Sequence, residues 1–557
     1  MPRKNGENKP VAEAESPRKV DRRGFLGSLG AAAATGALVG PLSGCTGGGV
    51  QAALGVDDAT ARALASQSVR NQAAQLAFER GTVTHVNNGD EALYPNFIGN
   101  FSKGLPHNAL GEVDQASYQT FIQALDTRDF ALLDTLTIGP RKLENPQGGI
   151  VFPLVGVDPQ SITMPPAPAF ASAEEAGEMV ELYWMALLRD VHFSDYATDG
   201  GVANAVADLN AMSDFRGPKV SGMVTPGTLF RSPTPGDLAG PYVSQLLLKD
   251  FNLGTLPVPQ RQRTYVPGVD YMSGFSEWLA IQTGAQPSVA QSFDGTARYI
   301  RNARDLASYV HDDVLFQAYF NAALVLLGMG VPFKPSVNAY AGSPSQVGFT
   351  SFGGPHLLGV LTEVANYALR AVWFQKWFVH RRLRPEAFAG RVEVHTTNQA
   401  TYPLHADVLN SAAVAQVQSG TGTALLPMAY TEGSPRHPAY GAGHAIIAGA
   451  CVTVLKAFFD EDFIIPNPVV ASADGLSLVP YTGPDAGSLT VGDELNKLAA
   501  NIAQGRNMAG VHWRSDYTGS IPHGEAVTEA VLQEQKLCFN EMGTFTFTRF
   551  DGTTAVI

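Results

Sequence analysis

From Thr296 onward the chain is a succession of long apolar segments at helical spacing, and few runs anywhere in it alternate apolar and polar with period two. Such a chain cannot build a large sheet. It is predicted to be mainly α: a helical bundle with long loops and little β-structure. Helices are expected at Thr296–Gly328 (one or a broken pair), Pro355–Arg382, Ala445–Phe459, Gly492–Ala509 and Gly524–Met542. Earlier, Asp57–Arg80, a stretch near Asp114–Leu136 and Ala171–Val191 read as helical, the last with Met179, Leu182, Trp184, Met185 and Leu188 near one face. Residues 215–270 are rich in Pro, Gly and Thr and predict long loops with a short helix near Pro241–Phe251. Three regions follow: 1–50 as leader and tether, 51–260 packing on the core, and 261–557 as the bundle that carries the site.

The leader has the form of an address. Asp21-Arg22-Arg23-Gly24-Phe25-Leu26 precedes a Gly/Ala-rich apolar run to Val39 that is too short for a stable membrane span. It resembles a twin-arginine export signal. Leu42-Ser43-Gly44-Cys45 resembles a bacterial lipobox, which implies lipidation at Cys45 and a periplasmic or extracytoplasmic protein held by a lipid anchor. The remaining cysteines, Cys451 and Cys538, are too few for a disulfide framework. A net charge of −13 argues against a general nucleic-acid binder, so any anion site must be a local cluster of cations.

Three segments place such cations, with histidines, among apolar helices. Lys376 and Arg384 are eight residues apart, about 12 Å along a helix and roughly 80° round it, so both can reach one site. Arg381 and Arg382 read as a basic helix terminus complementing the dipole. In the second segment, Gly433-Ser-Pro-Arg-His437-Pro-Ala-Tyr-Gly-Ala442-Gly443-His444-Ala445, a turn-rich loop opens a helix and aims backbone N–H groups outward. In the third, Arg506 and His512 lie roughly 240° apart on a straight helix, and Gly510 permits the break that would bring them together. One lysine, two arginines, a helix-start amide and two histidines suit a highly charged tetrahedral oxyanion. HExxH, CxxC pairs, Walker loops and GxSxG elbows are absent from the sequence.

Lys-x7-Arg-Pro, then Gly-His, then Arg-x5-His-x3-Asp (Lys376, Arg384-Pro385, Gly443-His444, Arg506, His512, Asp516) resembles the superfamily of vanadium-dependent haloperoxidases and type 2 phosphatidic acid phosphatases. Ser434-Pro435-Arg436-His437-Pro438-Ala439-Tyr440, Gly510-Val511-His512-Trp513-Arg514 and Arg298–Leu306 resemble the algal and bacterial bromoperoxidase branch. The resemblance implies a vanadate (vanadium V) cofactor held by Lys376, Arg384, Gly443 and Arg506, with His512 as the vanadium ligand and His444 handling protons. It implies His437 and Trp373 on the halide side, and Asp312 or Asp313 as an acidic partner orienting the arginines. The implied activity is oxidation of halide by hydrogen peroxide to hypohalous acid, bromide foremost and iodide second, in a homo-oligomer.

One departure stands out: Ala442 occupies a position where the family commonly has serine, removing a hydrogen-bond donor worth about 1.5–3 kcal/mol toward a charged oxyanion. Two other functions fit the same cations: an acid phosphatase working through a phosphohistidine on His512, and an exported lipoprotein that binds an oxyanion without catalysis.

Overall fold

The computed structural model describes residues 59–557, so Cys45 and the arginine pair lie outside the described residues. Its helices of eight or more residues are α1 (Ala59–Arg80), α2 (Gln115–Asp126), α3 (Ala173–Leu187), α4 (Gly200–Ala211), α5 (Phe275–Gln282), α6 (Ala303–Asp312), α7 (Gln317–Gly328), α8 (Gly354–Phe374), α9 (Pro385–Thr396), α10 (Ala412–Thr421), α11 (Gly443–Phe458), α12 (Val491–Met508) and α13 (Arg514–Lys536). Strands among the described residues form three short antiparallel hairpins, 251–258, 469–480 and 546–556. The mainly α expectation holds. Residues 66–557 form one compact unit.

α11 is the centre of that unit. It packs against α8, α12 and α13, and each of its residues except His444 is buried, as expected of a helix apolar all round. Glycines set its closest approach to α13. A Cβ on Gly449 would come 2.0 Å from the Ile521 carbonyl oxygen, and one on Gly524 would come 2.0 Å from that of Ile446. The two backbones therefore touch without intervening side chains.

The run 296–328 is the broken pair of the two alternatives, with Asp313 in extended conformation between α6 and α7. The structure departs from the sequence-based expectations at three other helix ends. The run from Pro355 leaves α-geometry after Phe374, and residues Gln375–His380 form a π-helical turn before Arg381 adopts a positive φ of 41°. Pro385 opens a helix the sequence reading did not expect, α9, at the first turn, where its missing N–H costs nothing. α13 begins ten residues before Gly524 and runs through Pro522. Packing against α11 sustains it across the break in its hydrogen-bond ladder. The helix expected near Pro241–Phe251 is only a 3₁₀ turn, Gln245–Leu247.

Candidate active site

Three helix ends meet at the site. The π turn carries Lys376, and the next residues place Arg384 as the N-cap of α9. The loop 433–442 delivers Gly443 and His444 in the first turn of α11. α12 ends at Met508, Gly510 turns the chain at φ +86°, and α13 begins at Arg514, so Arg506 and His512 face one place. A cavity of about 300 Å³ opens there, lined by Arg506, His512, Gly443, His444, His437, Trp373 and Asp313 among others. Lys376 and Arg384 stand immediately behind its wall, both fully buried.

Hydrogen bonds fix each group. Lys376 Nζ donates to the carbonyls of Pro438 and Ala439 at 2.8 and 3.0 Å. Arg384 donates to the Val511 carbonyl at 2.6 Å, to the His437 carbonyl at 3.0 Å and to His437 Nδ1 at 2.9 Å. Its Nη1 also lies 3.1 Å from His512 Nε2, and His512 Nδ1 lies 2.7 Å from Asp516 Oδ2. A guanidinium can only donate, so Nε2 carries the lone pair and Nδ1–H donates to the carboxylate. Arg506 Nη1 donates to the Val310 carbonyl at 2.6 Å, while its Nε is buried without a partner.

The electrostatics are those of a cation cage. Among the described residues no carboxylate forms an ion pair with Lys376, Arg384 or Arg506. Burial pushes the Lys376 ammonium well below its ordinary range, and the neighbouring Arg384 adds to this. Burial pushes Arg384 down to about 10, with the charge of Arg506 adding. His512 and His437 are held well below the usual imidazole range by burial first, then by Arg384 and Lys376. Neutral His512 keeps its lone pair available. The first-turn amides of α11 add partial positive charge, because no side chain caps this helix.

Of the two acidic candidates, Asp313 reaches the site and Asp312 does not. Asp312 is exposed and pairs with Arg263 at 3.4 Å. Asp313 Oδ1 contacts His444 Nε2 at 2.9 Å, so its partner is the histidine rather than an arginine. Burial opposes the Asp313 charge, yet His444 and Arg506 together hold its pKa below the ordinary value. Trp373 lines the cavity with its ring 4.7 Å from that of His437, and its Nε1 donates to the Glu144 carbonyl at 3.1 Å. Ala442 is buried outside the cavity lining, and its N–H donates to Ser520 Oγ at 2.8 Å.

Sequence reading missed the support of the cage. Arg381 does serve the helix terminus, its Nη1 donating to the Trp377 carbonyl at 3.2 Å, but Arg382 does not. Arg381 pairs with Glu91, its Nε donating at 2.8 Å. Arg382 is buried among Glu175, Glu178 and Asp516, the last at 2.8 Å. Arg514 pairs with Glu181. The available signal was Glu175, Glu178 and Glu181 at three-residue spacing on one side of α3, whose other residues are apolar save Glu174. Tyr430 and the His311–Glu432 pair (2.9 Å) also line the cavity and carried no motif.

Fold and site define a helical bundle built around a cluster of buried cations, and residues 357–541 match the family described as the VCPO second helical-bundle domain. The vanadium-dependent bromoperoxidase of Corallina pilulifera is 37% identical over 595 residues, covering 90% of this chain and 99% of that protein. That of Ascophyllum nodosum is 35% identical, covering 85% and 88%. The homohexameric structure of the second vanadate-dependent bromoperoxidase (AnII) from Ascophyllum nodosum superimposes with a TM-score of 0.86 at 33% identity, covering 93% of this chain and 94% of that one. This chain belongs to the vanadium-dependent bromoperoxidase family.

Proposed function

We propose that the chain binds vanadate and oxidises halide with hydrogen peroxide to hypohalous acid, with bromide as the principal halide and iodide also accepted. The observation that carries this is the cage: Lys376, Arg384 and Arg506 buried together without a carboxylate, beside a histidine whose unprotonated Nε2 is directed at Arg384 within it. Uncompensated buried cations call for an anion, and the donor set fits a tetrahedral oxyanion with one nitrogen ligand.

In this reading Lys376, Arg384, Arg506 and the Gly443 amide hold the oxygens, and His512 Nε2 supplies the metal ligand. Arg384 must release Nε2 for that bond. Asp516, itself anchored by Arg382, keeps the proton on Nδ1. Bound vanadate supplies Lewis-acid activation of peroxide without change of oxidation state. His444, oriented by Asp313, accepts and returns a proton at the cavity face of the cage. His437 and Trp373 shape the wall where halide would approach.

The experiment is direct: load the purified protein with vanadate, add bromide and peroxide, and follow bromination of a phenolic dye. Halogenation that requires vanadate is expected. Turnover of a phosphate ester with no halogenation would favour the phosphatase reading, and neither activity would favour a binding protein.

The arginine pair and Leu-Ser-Gly-Cys45 support export through a twin-arginine route and attachment by lipidated Cys45 outside the cytoplasm. The homohexameric relative supports a homo-oligomer, as do the exposed apolar side chains of Phe152 and Leu154. Residues 261–557 carry the site's motifs, and residues 51–260 are read as packing on them.

A further inference from the structure

We propose that the edge of the Arg436 guanidinium, together with Arg141, forms a second anion subsite beside the cavity, and that its ligand is a halide ion. Arg436 is 1% exposed, and its Nε and Nη2 are buried without a partner. These two N–H groups lie along one edge of the guanidinium and converge on a single acceptor. Arg141 Nη1 is likewise buried and unpartnered.

The arrangement is built. Arg436 Nη1 donates to the Arg141 carbonyl, which places the guanidinium beside that segment and leaves the Nε/Nη2 edge unpartnered. Two glycines make room for the group: a Cβ on Gly104 would lie 3.0 Å from Arg436 Nη1, and one on Gly284 3.2 Å from the same atom. No carboxylate of the described residues pairs with the guanidinium. Glu144 accepts from the Arg436 backbone N–H at 3.2 Å and lies 3.4 Å from His437 Nε2. Lys103, the nearby ammonium, is already satisfied by Glu386 at 2.5 Å and by two carbonyls. Burial, with the charge of Arg141 adding, pushes Arg436 down to about 10.

Its position ties the subsite to the cavity. Pro435 and His437, which flank Arg436 in the chain, line the cavity, and so does Arg141. One unpartnered guanidinium edge, Nε–H with Nη2–H, beside a second guanidinium suits a small monovalent anion. The subsite would hold halide close to the reacting centre. The identity of the ion rests on the halide-oxidising reading above.

Crystals of vanadate-free protein soaked in sodium bromide and measured at the bromine absorption edge test the binding. A bromide peak within about 3.5 Å of Arg436 Nε and Nη2 is expected, and its loss in Arg436→Gln. In the vanadate-loaded enzyme, Arg436→Gln and the milder Arg141→Gln should raise the bromide KM by about 3- to 10-fold, with kcat within about twofold. Water without bromide at that edge overturns the proposal. Bromide there with unchanged KM in both variants marks an adventitious ion only and also overturns it. If Arg436→Gln does not fold, the wild-type crystal and Arg141→Gln decide. The soak needs no turnover, so a wild-type enzyme inactive toward bromide would sink the functional reading separately.

Discussion

Arg384 Nη1 stands 3.1 Å from His512 Nε2, the ring nitrogen that Asp516 leaves without a proton. The guanidinium thus occupies the direction a metal would take, and the carboxylate on the far side of the ring decides whether a lone pair is available there. Asp516→Ala should weaken vanadate binding by about 10- to 100-fold. Titration of the apoprotein with vanadate measures this, and an unchanged dissociation constant would show that the ring needs no such partner.

Asp313 is expected to act on rate rather than on cofactor binding, because it touches His444 and no cage cation. Asp313→Ala should lower kcat for bromide oxidation by about 10- to 100-fold while vanadate affinity changes little. Equal losses in both quantities would mean that Asp313 holds the cage, not the proton-handling histidine.

Ala442→Ser would add a hydroxyl at the N-cap of α11, a position with no side-chain cap, beside an amide already taken by Ser520. Vanadate should bind about tenfold more tightly, and the helix should gain about 1 kcal/mol from the cap. Calorimetric titration and thermal unfolding report the two effects. Unchanged vanadate affinity would mean that another donor already serves the oxyanion.

Acid stability should depend on two buried histidines, His380 on the π turn that carries Lys376 and His523 on α13. His380 and His523 are buried, no ring nitrogen of either has a partner, and each is pushed down to about 3 by burial first, then by His85. Their folded values lie below the unfolded one. The stability they permit is full above about pH 6.5 and is lost as pH falls toward 3. At pH 4 each costs on the order of 3 kcal/mol. His523→Leu should therefore narrow the difference between urea-unfolding free energies at pH 7 and pH 4. A difference equal to the wild type's would contradict the assignment.

Gly449→Ala places a methyl where the Ile521 carbonyl oxygen lies 2.0 Å away. Separating α11 from α13 to admit it should cost about 3 kcal/mol or more, seen as a lower urea midpoint. A midpoint within error of the wild type would mean that the two helices slide freely.

The parts of the molecule legible in the sequence are those where one physical signal dominates. Long apolar periodicity announced α8, α11 and α12, and Gly510 announced the break that lets Arg506 and His512 converge. Tertiary contacts decided the rest. Pro522 reads locally as a stop, but packing of Gly524 on α11 carries α13 through it. Arg382 reads locally as a helix-end cation, but its partners lie some 135 to 205 residues away in sequence, on α3 and α13. The pairing of His444 with Asp313 depends on where the run 296–328 breaks, and periodicity alone does not locate that point.

α11 shows solvent almost nothing of itself, and its one incompletely buried residue is His444. The helix that carries His444 therefore has no face free to fray. Its amides beyond the first turn should exchange with water only through opening of the whole unit. Heat and denaturant should then give no folded but inactive intermediate in which this histidine has drifted: activity and native structure should vanish along one curve.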